Sequence, residues 1–267
     1  MNTDVLLELK SLWRLAFGDP EEAVDCFFRT AFSPNRCLYT REDGRIVCAL
    51  YWLDASCQGR SLAYLYALAT HPHHRGKGHA SRLIKQAHRR LKAEGYSGVV
   101  LKPAEGLIPF YERLGYAVSG FLRRFTAAPG NAPIPLTRLT AAQDGALRRE
   151  YLPENGIVQE GVTLDFLACY ADFFACEKAL VCVMKDRSEI VEFLGDPAAA
   201  PGILADLNME EITIYTPGDA IPFAMYHPLD SSPAPGYLGL SLELRQAVPA
   251  DSSCTVRCYS LLPFAAR

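Results

Sequence analysis

The residues best suited to chemistry in this 267-residue chain cluster at one junction. In LYALATHPHHRGKGHASRLI, residues 65–84, an apolar run meets a basic turn, Arg75-Gly76-Lys77-Gly78-His79-Ala80-Ser81, that leads straight into an amphipathic stretch. The first N–H groups of any helix have no partner inside it and carry the positive end of its dipole. Gly76 and Gly78 have no side chains to hold a ligand away, and they accept the torsions such a turn needs. Ala80 keeps the next position narrow, and Arg75, Lys77 and Arg82 add charge. These types in this order point to a cradle of backbone donors for a pyrophosphate. Two other phosphate motifs are excluded. The pattern GxxxxGK[ST] needs a Gly-Lys-Ser/Thr that the chain lacks, and GxGxxG fails because Ser81 holds the place of the third glycine.

The elements that must position this turn lie on either side of it. Ser61–Thr70 is predicted as a strand with apolar residues on both faces, hence central in a sheet. His79–Glu94 is predicted as a helix, with Leu83, Ile84, Ala87 and Leu91 on one stripe and Gly95 closing it. Upstream, helices are expected over Val5–Phe17 and Glu21–Phe32, then strands over Arg36–Thr40 and Arg45–Asp54 joined by the turn Glu42-Asp43-Gly44. Downstream come a strand at Gly98–Lys102, a short helix at Gly106–Leu114 and a strand over Tyr116–Thr126. This order predicts a mixed αβ sheet flanked by helices.

The Ala-, Pro- and Gly-rich run after Thr126 marks a linker at residues 128–135, dividing a domain of residues 1–127 from a smaller αβ domain of residues 136–267. In the second half, helices are expected at Ala141–Tyr151 and Val162–Phe174. Strands are expected at Leu180–Lys185, Glu189–Leu194, Glu211–Thr216, Pro222–Pro228 and Tyr237–Leu244. Both halves open with two helices followed by two strands, which suggests a diverged duplication.

Composition narrows the function. Hydrophobic residues make up 49% and charged residues 21%, an ordinary globular balance. The net charge of -3 argues against a general nucleic-acid binder. Yet residues 71–92 hold seven Lys or Arg, five of the six His and no Asp or Glu, an island suited to a small polyanion. Nine cysteines without a CxxC pair read as free thiols of a reducing compartment, and no zinc site is expected. The five histidines have neither an HExxH pattern nor a matching acid nearby, so no metal is expected there either. No signal peptide and no apolar run of ~18 residues is found, so the expected location is cytoplasmic, away from membranes.

Three features together carry a family resemblance: Arg75-x-x-Gly78-x-Ala80 at a strand–turn–helix junction, Leu68-Ala69-Thr70-His71-Pro72 before it, and Phe110-Tyr111-Glu112-Arg113-Leu114-Gly115-Tyr116 after the next strand. In this order the sequence resembles the GNAT (GCN5-related) N-acetyltransferases over residues 1–127, most strongly over 62–120. The resemblance implies the GNAT fold, with acetyl-CoA as cosubstrate. It places the pantetheine arm beside Leu68, Ala69 and Thr70, and the pyrophosphate on Arg75, Gly76, Lys77, Gly78, His79, Ala80 and Ser81. It gives Tyr111 the role of general acid for the departing thiolate, a role that suits a phenol of pKa near ~10. The implied reaction is direct attack of a primary amine, on a small molecule or a peptide, upon the thioester.

Residues 62–70 contain no acid where many GNAT enzymes carry a base, so Asp54, Glu105 and Glu112 are the remaining carboxylates to consider. The second half resembles the family weakly, as a degenerate GNAT-like domain. The competing reading is a coenzyme A-binding sensor or scaffold of the same fold without turnover. A homo-oligomer is compatible with either.

Overall fold

The computed structural model describes residues 2–104 and 106–236. The chain begins with α1 (Thr3–Phe17) and α2 (Glu21–Thr30). Asn2 caps α1 by accepting from the Asp4 amide, and Gly18 ends it with its N–H on the Arg14 carbonyl. Strands β1 (Cys37–Glu42) and β2 (Arg45–Cys57) follow as a hairpin. Its two-residue turn puts both Asp43 (φ 50°) and Gly44 (φ 78°) in the left-handed region, the geometry that matches strand twist. Next come β3 (Arg60–Thr70), α3 (His79–Ala93), β4 (Gly98–Leu101), α4 (Ile108–Glu112) and β5 (Ala117–Ala127).

The rest of the chain contributes β6 (Thr137–Leu139), α5 (Ala141–Tyr151), β7 (Val158–Gln159), α6 (Val162–Leu167), β8 (Ala171–Cys176), β9 (Ala179–Met184) and β10 (Ile190–Gly195). It continues with α7 (Ala200–Asp206), β11 (Ile212–Pro217) and β12 (Ile221–Pro228).

The main sheet runs β1-β2-β3-β4-β12-β5-β11, with β7 added to the end of β2. Only the β3–β4 pair is parallel; the other neighbours are antiparallel. Strand alternation divides two cores. On β2, Ala49, Tyr51 and Leu53 face the aromatic cluster of α1 and α2, where Trp13, Phe27 and Phe28 pack. Cys48, Leu50 and Trp52 face the other way, under Leu83, Ile84, Ala87 and Leu91 of α3. Each such fully buried aliphatic or aromatic side chain is worth roughly 1.5–3 kcal/mol of burial. The expected apolar character of β3 on both faces follows from the same arrangement.

A second, antiparallel sheet runs β10-β9-β8-β6. It shares a core with the first: Phe125 and Ile214 from the main sheet pack with Phe193, Ile203 and Leu204. Thr216 on β11 donates from Oγ1 to the Phe193 carbonyl at 2.7 Å.

Three expectations differ from the structure. The linker at 128–135 is fastened, since Gly130 and Ile134 donate their amides to the carbonyls of Pro201 and Gly202 at 2.8 and 3.0 Å. The chain crosses back over the 127/136 division, because β12 inserts between β4 and β5 and β11 pairs with β5. The expected helix Val162–Phe174 stops at Leu167, and Ala171–Cys176 becomes β8. There Phe173 and Phe174 point into different cores, as a period of two requires. The expected strand Tyr237–Leu244 lies outside the described residues.

Candidate active site

The site is built where β3 runs out of the sheet into α3. After Thr70 the chain is held down by the His71 amide on the Val47 carbonyl at 2.9 Å. A single tight turn over Pro72–His74 follows, capped by the His71 imidazole, which accepts from the His73 amide at 3.2 Å. Gly76 (φ 75°) and Gly78 (φ 78°) then reverse the chain, and His79 begins α3. A Cβ at Gly76 would meet nothing within 4 Å, so its glycine serves the torsion alone. One at Gly78 would lie 3.1 Å from the guanidinium of Arg82, so there both torsion and space count.

Among the described residues, no protein group accepts from the amides of Gly76, Lys77, Gly78, His79, Ala80 or Ser81. Gly78 caps α3 without a side-chain hydrogen bond, and no acid stands in the first turn. Gly76, Lys77 and Gly78 are exposed, whereas Ala80 is buried beneath the turn. The result is an outward-facing row of donors at the positive end of a 15-residue helix.

The charge around this row comes from Arg75, Lys77 and Arg82 rather than from the histidines. Burial, followed by the nearby Arg82 cation, pushes His79 below its usual range; burial, followed by His74, does the same to His71. Arg75 Nε donates to the Thr70 carbonyl at 3.3 Å, which fixes the arginine against the end of β3. Arg82 Nη2 lies 3.3 Å from His79 Nδ1.

A carboxylate also reaches the turn. Glu42, from the β1–β2 hairpin, hydrogen-bonds His74 Nδ1, lies 3.6 Å from His79 Nε2 and 3.8 Å from Lys77 Nζ. The His74 bond, the largest influence, and then Lys77 hold this carboxyl below its usual range. Spacing along the chain hid this acid, because it arrives from 32 residues upstream of His74. The ligand atoms of Glu42, His74 and His79 lie within 4.8 Å of one another. The Lys77 ammonium occupies the same surroundings, so the cluster works as a charge clamp on the turn.

Beside the turn the sheet opens. Strands β3 and β4 pair only at Leu62–Gly98, Ala63–Val99 and Tyr64–Val100. Beyond Tyr64, β3 runs on to Thr70 paired with β2 alone. A bulge in the β2 pairing sets Tyr66 apart. Leu68 and Ala69 are fully buried along this stretch. Thr70 Oγ1 sits 3.3 Å from the Cys48 thiol, which burial pushes up to about 11.

Tyr111, on α4, is fully buried. Its ring meets Phe110 and Tyr116 edge-on at 5.0 and 5.5 Å. It belongs to the same core cluster as Leu68, Ala80 and Leu101. The fold therefore gathers Leu68, Ala80 and Tyr111 on the α3 side of the sheet, while Thr70 and residues 75–81 line the junction above. Of the carboxylates considered as bases, Asp54 is tied to Arg36 and to Tyr96 Oη at 2.6 Å, and Glu112 faces solvent. Glu105 lies outside the described residues. Sequence reasoning passed over Lys102, which is buried immediately after β4; its only signal was a lysine closing the apolar run Val99-Val100-Leu101.

No helix among the described residues is long and apolar enough to cross a membrane. No curated protein matches the sequence at a significant level. Solved structures do match the fold. A GCN5-related N-acetyltransferase from Anabaena variabilis aligns with a TM-score of 0.68 at 12% identity, over 86% of this chain and 71% of that one. One from Kribbella flavida aligns at 0.65 and 17% identity over the same shares. A putative acetyltransferase from Pyrococcus horikoshii aligns at 0.61 and 14% identity, over 90% of each chain. These likenesses extend well past residue 119, so they describe the fold of both halves. Residues 1–119 match the model of the acetyltransferase (GNAT) domain, and through them this chain belongs to the GNAT family.

Proposed function

We propose that the protein transfers the acetyl group of acetyl-CoA to a primary amine by direct attack. The observation that carries this reading is the row of unused amides at Gly76–Ser81 standing beside the unpaired end of β3. In this reading the amides take the diphosphate, with Arg75, Lys77 and Arg82 neutralising its charge. Leu68, Ala69 and Thr70 offer the backbone edge along which the pantetheine arm lies as an added strand. The Thr70 carbonyl already accepts from Arg75 Nε, so the arm shares that oxygen or displaces the arginine.

The arm then ends between β3 and β4, near the core that holds Tyr111. The acceptor nitrogen forms its bond to the thioester carbon, the C–S bond breaks, and Tyr111 donates its phenolic proton to the departing sulfur. The acceptor is a small-molecule or peptide amine. Thiol release from acetyl-CoA, followed over a panel of primary amines, tests the reaction. Tyr111→Phe is expected to lower turnover by ~10²-fold or more while leaving coenzyme binding intact. An unchanged kcat would remove Tyr111 from the mechanism. Coenzyme binding with no thiol release from any amine would favour the sensor reading instead.

A further inference from the structure

The reaction needs a neutral amine, and the strand carboxylates are absent or engaged. We propose that Lys102 is the general base that takes a proton from the acceptor ammonium, an inference that rests on the acetyl-transfer reading above.

The geometry begins with strand alternation. Val99 and Leu101 pack into the core beneath α3, whereas Val100 packs into the core beneath α1 and α2. Lys102, one step beyond the end of β4, shares the Val100 face. Its Nζ lies 4.5 Å from the ring centroid of Phe223 on β12, a residue packed against that same core. Pairing between β3 and β4 ends at Val100, so Lys102 stands on the lip where the strands part. A thioester entering from the α3 side between those strands presents its carbonyl to this face. Tyr66, on the parting stretch of β3, faces the same core and has a buried hydroxyl with no partner among the described residues.

Lys102 is only 7% exposed. Burial lowers its pKa to about 7, against the opposing charge of Glu189 on the β9–β10 connection. Among the described residues, Glu189 is the charged group acting on it, and the ring of Phe223 faces it from β12. A substantial fraction of the lysine is therefore a neutral amine at neutral pH, as a base must be.

The protons balance. The acceptor R–NH3+ gives one proton to Lys102, leaving R–NH2 and a lysine ammonium. The nitrogen attacks, and the proton it sheds on collapse replaces the one Tyr111 gives to sulfur. Lys102 returns its proton to solvent, so the products are the amide, the free thiol and one proton.

Ethylamine and 2,2,2-trifluoroethylamine separate this role from a structural one. They have nearly the same shape, but the fluorinated amine is already neutral at neutral pH. Lys102→Met keeps the bulk without a titrating group, and Lys102→Arg keeps a charge that cannot be released. Both variants are expected to lose ~10²-fold in kcat/KM with ethylamine and under about threefold with trifluoroethylamine. The rise of the wild-type rate with pH through neutrality should vanish with them, while the thermal shift with acetyl-CoA is kept. Equal losses with both amines, or no loss, would overturn the assignment. A wild-type protein that binds acetyl-CoA and acetylates neither amine also overturns it. Absence of coenzyme binding in the wild type defeats the acetyl-transfer reading itself.

Discussion

Two helices, α3 and α5, follow a strand and a short connection, yet their N-termini are finished in opposite ways. α5 satisfies itself. The Thr140 hydroxyl accepts from the Gln143 amide at 3.2 Å, and Gln143 Oε1 accepts from the Thr140 amide at 2.9 Å. Its first turn adds Asp144, whose carboxylate turns inward toward Arg148 at 3.4 Å. Arg148 in turn grips Glu192 with two bonds of 2.6 and 3.0 Å, all within a sealed core. α3 has none of this: a glycine cap, no side-chain acceptor, no first-turn acid, and cations around the rim. A helix terminus that uses its donors internally stabilises the fold, and one that leaves them open is fit to bind an anion. The two sheets repeat the contrast. The main sheet has a parallel pair that parts beside α3, whereas the second sheet is antiparallel throughout.

This difference is open to attack from both ends. The largest expected effect lies in the sealed half. Arg148→Met leaves Glu192 buried without its partner and should cost about 3–5 kcal/mol of stability in denaturant unfolding. Acetyl-CoA affinity should not change in the fraction that folds.

A smaller effect, confined in pH, belongs to Asp144. Burial, outweighing the attraction of Arg148, raises its pKa from 3.8 to about 6. The folded state therefore holds this proton more tightly than the unfolded chain, and stability falls as pH rises across that window. Asp144→Asn should flatten this part of the stability profile, and an unchanged slope would place the proton elsewhere.

The smallest is the cap. Thr140→Ala should cost ~1 kcal/mol and leave the coenzyme site untouched. If removing the α5 cap altered acetyl-CoA binding, the two termini would not be independent as described.

What the sequence made legible was local. The strand, turn and helix of residues 60–93 follow from glycine torsions, an apolar stripe and a basic cluster, all within one stretch of chain. The Phe110–Tyr116 pattern marked α4 for the same reason. Long-range pairing was not legible. Glu42 reaches His74 only because the β1–β2 hairpin folds over the turn. β12 enters the main sheet nearly a hundred residues after β5, its partner at Leu122–Ile221. Lys102 resembled an ordinary strand end until Phe223 was brought over it. The helix expected at 162–174 failed because Phe173 and Phe174 serve two cores, a demand that no helical period reveals.

The most direct test of the open α3 terminus is the thermal shift with acetyl-CoA. At ~100 times Kd a ligand bound only by the folded state adds ~2.7 kcal/mol. For a chain of this size that is a rise of roughly 5–10 °C. The wild type should show this rise, and Gly78→Asp, which sets a carboxylate against the amide row, should show none while keeping its ligand-free melting temperature within a few degrees. An equal rise in both proteins, or none in the wild type, would contradict a diphosphate held at Gly76–Ser81.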